Sequence, residues 1–392
     1  MTKKLDDILA SWAAGRNVLL YGPPATGKTR LISELFQLLK QAQQGTSGIL
    51  LDPNESEKPF SRPSKPLTIP QPVKVVWTTF HQSFSYEDFI IGLRPDITST
   101  GTRLRPWAGL FLDAALELAD PDSEYKSVVI FIDEINRGNA ARIFGEFMTF
   151  LDFDYRKEGR VAIPLPLRQL IYKDGLSEPI FRLGGKEAQI PENFTFPKDI
   201  YIVSTMNSVD RAAVPIDSAL ARRFDRIEMR PSLEVLAQLW SIDRDTIPSS
   251  IDDIRDTLSP LLAAYLILDR LNISISSDLG PEFELGHGLL TSIQASETDR
   301  GMEQESLEDN IWRGIATAWD DIIFPQLEDR YAGRPEQLID LLRIETPPLE
   351  GEYAWKFRRS VSSALISRTL EPVRTSELNV DVIKRSFRWL AG

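Results

Sequence analysis

The sequence contains no cysteine. Disulfide frameworks, thiolate metal sites and cysteine nucleophiles are excluded together by that absence. Histidine is almost as scarce: His81 and His287 are the only two in 392 residues, too few for a histidine-built metal centre. Long hydrophobic runs are missing as well. The longest, Leu261–Leu268, has eight residues, against the roughly 20 needed to cross a bilayer, so no membrane association is expected. Met1 to Ala10 carries two lysines and two aspartates with no apolar stretch behind them; no secretory signal is expected, and a cytoplasmic setting is the default. Positive charge is in deficit, with 45 Lys and Arg against 57 Asp and Glu and a net charge of −12. That balance argues against a chain that coats nucleic acid with its whole surface. One segment departs from it: Gly351 to Gly392 has eight basic residues and four acidic ones. A solvated helical face is the plainer reading of this basic tail, and a contact surface for a partner or nucleic acid the sharper one.

What is present reads as a folded α/β chain, with 42% hydrophobic and 26% charged residues and length enough for two or three domains. Short, largely apolar strands are expected at Asn17–Tyr21, Val73–Phe80, Ser127–Glu134, Ile200–Asn207 and Phe224–Met229, spaced widely enough for helices between them. This is the pattern of a mostly parallel sheet covered on both faces. Past Pro231 the pattern turns helical, at Thr257–Asn272, Leu307–Arg330 and Pro335–Arg343. The expected organisation is a nucleotide-binding α/β domain over residues 1–231, a helical lid over 232–346 and the basic tail over 347–392. Two insertions interrupt the first domain. Residues 41–72, with six prolines and no periodicity, read as a flexible loop; residues 157–197 read as a hairpin.

The chemistry is concentrated in two strings. Gly22-Pro23-Pro24-Ala25-Thr26-Gly27-Lys28-Thr29 lies between a strand and a helix that begins at Arg30, the context in which a Gly-x-x-x-x-Gly-Lys-Thr string binds phosphate. Glycines let backbone N–H groups turn inward around phosphate oxygens, and the helix presents its positive dipole end to the anion. Lys28 supplies a charge for the β- and γ-phosphates, and Thr29 a hydroxyl for Mg²⁺. The second string, Val128 to Glu134, is an apolar strand ending in two acids. Asp133 is expected to hold the Mg²⁺ shell and Glu134 to polarise the attacking water.

Asp133-Glu134-Ile135-Asn136-Arg137-Gly138-Asn139 resembles the Walker B region of the McrB family of AAA+ nucleoside triphosphatases, the motor subunits of modification-dependent restriction complexes. Phe80 to Ile90 with Gly92, Arg94 and Pro95 is similar to a further family stretch; Thr205-Met206-Asn207-Ser208-Val209-Asp210-Arg211 is similar to its sensor 1 segment, and Ala219 to Phe224 to its arginine-finger segment. Leu285-Gly286-His287 echoes a Gly-His string of the family's lid. The likeness runs from about Leu5 to Leu342. It implies an AAA+ P-loop domain followed by a helical lid, and a homo-oligomeric ring, a hexamer or another closed ring. It also implies that Asn207 holds the water or γ-phosphate, that Arg222 or Arg223 reaches a neighbouring subunit's nucleotide, that Asn136 lies near water and metal, that Asp210 stands behind them, and that His287 approaches the nucleotide from the lid. For His81 a structural role is expected.

With the phosphate loop starting at Gly22, the family's N-terminal reader of modified DNA is not expected in this chain. The lid string continues as Gly288-Leu289-Leu290 rather than the family's Ser-Tyr-Phe-like sequence. DNA contact is therefore expected through a complex, with a separate nuclease subunit resembling McrC, because no nuclease constellation stands out in this chain. The function expected is hydrolysis of ATP or GTP with Mg²⁺ by a ring-forming motor of a restriction or phage-defence system. A MoxR-like ATPase that remodels a protein partner would carry the same phosphate chemistry and is the alternative.

Overall fold

The computed structural model describes residues 2–44, 69–98, 101–156, 168, 171–173, 176–177, 179–190, 195–210, 214–247, 251, 254–293, 304–344, 352–362, 365–371 and 373–392. Most of the Pro-rich insertion and much of the 157–197 insertion lie outside these residues, as does Arg211. The chain divides into two compact units: Met1–Tyr21 with Lys28–Glu228, and Gly22–Gly27 with Met229–Gly392.

The first unit is built on five strands: β1 (Asn17–Gly22), β2 (Val73–Thr79), β3 (Ser127–Asp133), β4 (Ile200–Asn207) and β5 (Phe224–Glu228), in the spatial order β5-β1-β4-β3-β2. β1 runs parallel to β5, and β3 runs parallel to both β4 and β2. β3 and β4 are buried along almost their whole length, because helices cover both faces of a parallel sheet and leave no polar side. These are the strands that the apolar runs predict. Helix α1 (Thr2–Ala13) precedes the sheet, and α2 (Lys28–Gln44) follows β1. α2 buries Leu31, Ile32, Leu35 and Leu39, the one-face spacing of an amphipathic helix. A second stripe of phenylalanine fills the core, with Phe89 stacked on Phe111 at 5.3 Å and Phe150 on Phe196 at 4.8 Å. The stretch around Phe80 to Ile90 therefore serves packing. His81 is exposed, its Nδ1 3.0 Å from the Ser83 hydroxyl, which fits a structural role.

Beside the main sheet stands a hairpin, Ile91–Thr98 with Gly101–Ala108, extended by Ile180–Phe181 and Glu187–Ala188 into a four-stranded sheet. Pro95 and Pro106 lie in its strands, which hides it from a propensity reading. Arg156 is fully buried, bonded through Nε to the Phe150 carbonyl and through Nη1 to the Lys198 and Ile200 carbonyls. Three carbonyls stand in for the missing carboxylate, and burial pushes its pKa down to about 9.

The second unit is helical, with Leu233–Trp240, Pro260–Asp278, Gln304–Ala318 and Pro335–Leu341 as its main segments. The long helix starts at Pro260, whose fixed φ suits the first turn. The Leu307–Arg330 expectation is met by three consecutive segments: Gln304–Ala318, a π-helical turn at Trp319–Ile323, and Phe324–Arg330. The segment read as a basic tail is built into this unit. It forms a hairpin (Phe357–Ser362 with Leu365–Leu370) and a helix, Val380–Ala391, that buries Ile383, Phe387 and Leu390 in the core. Its cations with described side chains have partners within this unit, among them Arg368 with Glu336, Arg374 with Asp321, Lys384 with Asp309, Lys356 with Glu352, and Arg388 through Nε with the Leu258 carbonyl.

Candidate functional site

In the first unit the site is assembled at the ends of β3 and β4. Ser204 lies opposite Ile132 in the parallel register, which brings Thr205 beside Asp133. The Thr205 hydroxyl donates to Asp133 Oδ1 and accepts the Glu134 backbone N–H at 2.9 Å. One side chain thus ties both acids to the neighbouring strand. Glu134 leaves the strand with φ +52°, a left-handed turn that costs a non-glycine residue about 1 kcal/mol or more and reverses the chain at once.

The Glu134 carboxylate is held at both oxygens. Asn207 donates Nδ2 to Oε1 at 3.0 Å, and Arg137 Nε stands 2.8 Å from Oε2. The same Nε donates to Asp210 Oδ2 at 2.8 Å, so one guanidinium sits between two carboxylates. Asn136 is buried, donates Nδ2 to the Asn207 carbonyl at 3.1 Å, and accepts the Val214 N–H on its own carbonyl. Its Oδ1 is buried with no hydrogen-bond partner among the described residues, an acceptor open to a donor. Lys28 is 7% exposed at the start of α2. Burial pushes its pKa down to about 8 against the opposing pull of Asp133 and Glu134. Thr29 is exposed beside it; Arg30 is exposed too, with Nε 3.3 Å from Glu34 one helical turn on.

Residues 22–27 and the lid string meet within the second unit. Ala25 and Gly27 have φ of +60° and +87°, the left-handed angles that turn amides toward one side of a phosphate loop. Thr26 donates its hydroxyl to the Pro23 carbonyl, 2.9 Å away. The Gly288 N–H donates to the Ala25 carbonyl at 2.8 Å. A Cβ on Gly286 would stand 2.2 Å from the Pro24 carbonyl oxygen, so only glycine permits this approach. His287 is buried, and its Nδ1 accepts the Ser232 N–H at 3.0 Å, which leaves the proton of the neutral ring on Nε2. That Nε2 stands 3.9 Å from where a Gly27 Cβ would be.

The structure thus gathers Lys28, Asp133, Glu134, Asn136 and Asn207 in one unit, and the loop with His287 in the other. The two candidate arginines differ sharply. Arg223 is bound to Asp152 at 2.8 Å and to the Ala219 carbonyl at 2.7 Å, with 11% of its side chain exposed. Arg222 is exposed, and its side chain has no partner among the described residues. Asp225 pairs with Arg16, not with either of them. Thr205 and Arg137 are the functional candidates that residue reading left without a role. Both lie in strings already singled out, but their partners depend on strand register and turn geometry.

An AAA domain of the dynein-related subfamily matches residues 67–224. The chain is 27% identical over 336 residues to the type IV methyl-directed restriction enzyme EcoKMcrB subunit of Escherichia coli (strain K12), an alignment covering 84% of this chain and 57% of that protein. It is 25% identical over 221 residues to the type II restriction enzyme BsuMI component YdiS of Bacillus subtilis (strain 168), covering 55% of this chain and 57% of that one. The chain therefore spans a little over half the length of these curated relatives. The β5-β1-β4-β3-β2 sheet with a helical unit after it agrees with the expected AAA+ P-loop fold. Among the described residues, no helix is long and apolar enough to cross a membrane.

Proposed function

We infer, for a chain that is McrB-like and carries an AAA domain, that it is a Mg²⁺-dependent ATPase or GTPase that closes into a homo-oligomeric ring and drives a restriction complex with a separate nuclease subunit. The observation that carries this reading is the pairing at the ends of two adjacent strands, Thr205 on Asp133 and Asn207 on Glu134, in the unit that also buries Lys28.

Each residue has a distinct task in that reading. The backbone of Gly22–Gly27 cradles the β-phosphate, and Lys28 neutralises the β- and γ-oxygens, regaining full charge as they arrive. The Thr29 hydroxyl and Asp133 would hold Mg²⁺, the hard oxygen pair this ion accepts. Thr205 occupies only Oδ1 of Asp133, leaving Oδ2 for the metal. Among the described residues no group of three or more acids or histidines is placed to hold a metal ion; Mg²⁺ would take its other ligands from phosphates and water. The ion supplies charge neutralisation on the phosphates. Glu134 orients the attacking water in line with the γ-phosphate, while Asn207 contacts that phosphate or the water. His287, with its Nε2 proton on the loop side, is the lid's contact to the phosphates. Arg222, exposed and uncommitted, is the residue to reach the neighbouring subunit's nucleotide, since Arg223 is held by Asp152 and Ala219.

The test is to titrate the purified chain with ATP and with GTP in Mg²⁺, following assembly by light scattering and phosphate release together. Assembly that requires triphosphate, with turnover rising as rings form, is the expected result. Equal scattering and no release with either nucleotide would refute it. Co-purification with a nuclease subunit encoded beside this chain tests the restriction assignment, whereas a protein-remodelling role would bring down a non-nuclease partner.

A further inference from the structure

The Glu134 carboxylate must leave one oxygen free for water, yet both are engaged, one by an amide and one by a cation. The two arms are not equivalent. Asn207 Nδ2 is a neutral donor at 3.0 Å, and its own backbone is pinned separately by Asn136, so its amide can rotate without moving the strand. Arg137 Nε carries charge, stands 2.8 Å from Oε2, and is itself fixed by Asp210 at 2.8 Å. The single Nε–H is donated to Asp210, so Arg137 meets Oε2 as an ion pair, held in place by that bond and by its position three residues after Glu134 on a single tight turn, Ile135–Arg137. The arm free to rotate is the one to yield.

We propose that Arg137 is the positioning residue of the hydrolytic site: it anchors Oε2 of Glu134 while an arriving γ-phosphate draws the Asn207 amide away and frees Oε1 for the attacking water. This rests on the nucleotide-hydrolysis reading above and adds a division of labour within it. The exchange balances simply, since one hydrogen bond from Asn207 to Oε1 is replaced by one from Asn207 to phosphate, and Oε1 then accepts a bond from water. Asp210 acts through Arg137, holding the guanidinium at the height of the carboxylate. Without the anchor, the carboxylate swings on two side-chain torsions next to Asp133, a like charge that repels it.

The experiment compares the parent with Arg137→Ala, Arg137→Lys, Asp210→Asn and Glu134→Gln, measuring kcat, KM and the equilibrium affinity for a non-hydrolysable triphosphate with Mg²⁺. Arg137→Ala is expected to lower kcat about tenfold to hundredfold, the loss typical of a misplaced reacting group, with KM and analogue affinity within about threefold. Arg137→Lys should recover part of the loss, because an ammonium keeps a positive charge near Oε2 without the guanidinium's fixed planar geometry. Asp210→Asn should lose less than Arg137→Ala. A kcat in Arg137→Ala equal to or above the parent's overturns the proposal, the latter marking Arg137 as a brake. A fall in analogue affinity as large as the fall in kcat also overturns it, since the residue would then be structural. If Glu134→Gln turns over like the parent, the hydrolytic reading itself fails; if that variant is inactive and Arg137→Ala is not, only the anchor fails.

Discussion

Two clusters of charge in the first unit have nearly the same composition and opposite characters. Around Arg182, the guanidinium meets Asp113 through Nε at 3.0 Å, Glu117 through Nη2 and Asp120 through Nη1 at 3.4 Å. Glu117 also accepts from Lys74 and Ser123, both at 2.8 Å. The side chains of Arg182 and Glu117 are 3% and 9% exposed. Around Arg137 two carboxylates rather than three meet the guanidinium, half of the arginine side chain is open to solvent, and the other contact to Glu134 is a neutral amide. The first cluster ties the short strand Ile180–Phe181 to helix Leu110–Ala119 and strand β2, and every donor has its acceptor. The second leaves an exchangeable bond at the point where chemistry is expected. Saturation and burial turn ion pairs into structure; an open side and an unequal pair of donors leave them able to switch. Arg223 and Arg222 repeat the contrast on neighbouring residues.

The sharpest way to break that contrast is at the second pair. If exposure marks the active cation, Arg222→Ala should cut triphosphate turnover about a thousandfold, the low end for an arginine finger, at unchanged melting temperature. Arg223→Ala should instead cost about 1 kcal/mol of stability through its half-buried pair. Reversal of the two phenotypes, read by phosphate release and thermal melting, would show that exposure misidentifies the finger. Next in size, Arg182→Ala should destabilise the first unit by about 3–5 kcal/mol, because it strands buried carboxylates, whereas Arg137→Ala should change stability by less than about 1 kcal/mol. Equal losses in urea titrations would erase the distinction between the clusters.

Acid should separate them too. The bonds from Lys74, Ser123 and Arg182 outweigh burial and hold Glu117 down to about 2, from an ordinary 4.5. Its stabilisation is complete above pH 4.5 and is lost as pH falls from there toward 2. Ser123→Ala and Lys74→Met should each raise the pH at which acid unfolding begins. Unmoved acid midpoints in both would mean that Glu117 owes nothing to those donors.

The same contrast explains which features the residues reveal on their own. β3 and β4 are legible because a parallel strand buried on both faces must be an unbroken apolar run, and Asp133 and Glu134 announce themselves by ending one. Thr205 does not, since an ordinary hydroxyl becomes a ligand holder only through the register that sets Ser204 against Ile132. Arg137 reads as one more surface cation until the turn at Glu134 folds it back. The hairpin at Ile91–Ala108 hides behind two prolines, and Arg156 behind the rule that a buried arginine needs an acid. In the C-terminal segment, charge counting reports a basic tail. Its helix nevertheless carries Ile383, Phe387 and Leu390 at spacings of four and three, and these, rather than the arginines, decide where it lies.

Lys28 offers the smallest and most direct effect, and it belongs to neither extreme: buried like Arg182, yet expected to exchange partners like Asn207. Its burial brings the pKa from 10.5 to about 8. Between these values the folded chain holds fewer protons than the unfolded one, so this residue's contribution to stability rises with pH across the window; it cannot cause unfolding there. Phosphate oxygens favour the charged ammonium, so above pH 8 triphosphate binding must take a proton from solvent. Affinity should therefore fall as pH rises past 8, at most about tenfold per unit, or about 1.4 kcal/mol. Calorimetry of a non-hydrolysable triphosphate at pH 8.5, in two buffers of different ionisation enthalpy, should show uptake of part of a proton, and Lys28→Met should abolish it along with most of the affinity. Binding enthalpies that agree between the buffers would mean that Lys28 is already charged in the empty site, and that its carboxylate neighbours outweigh its burial.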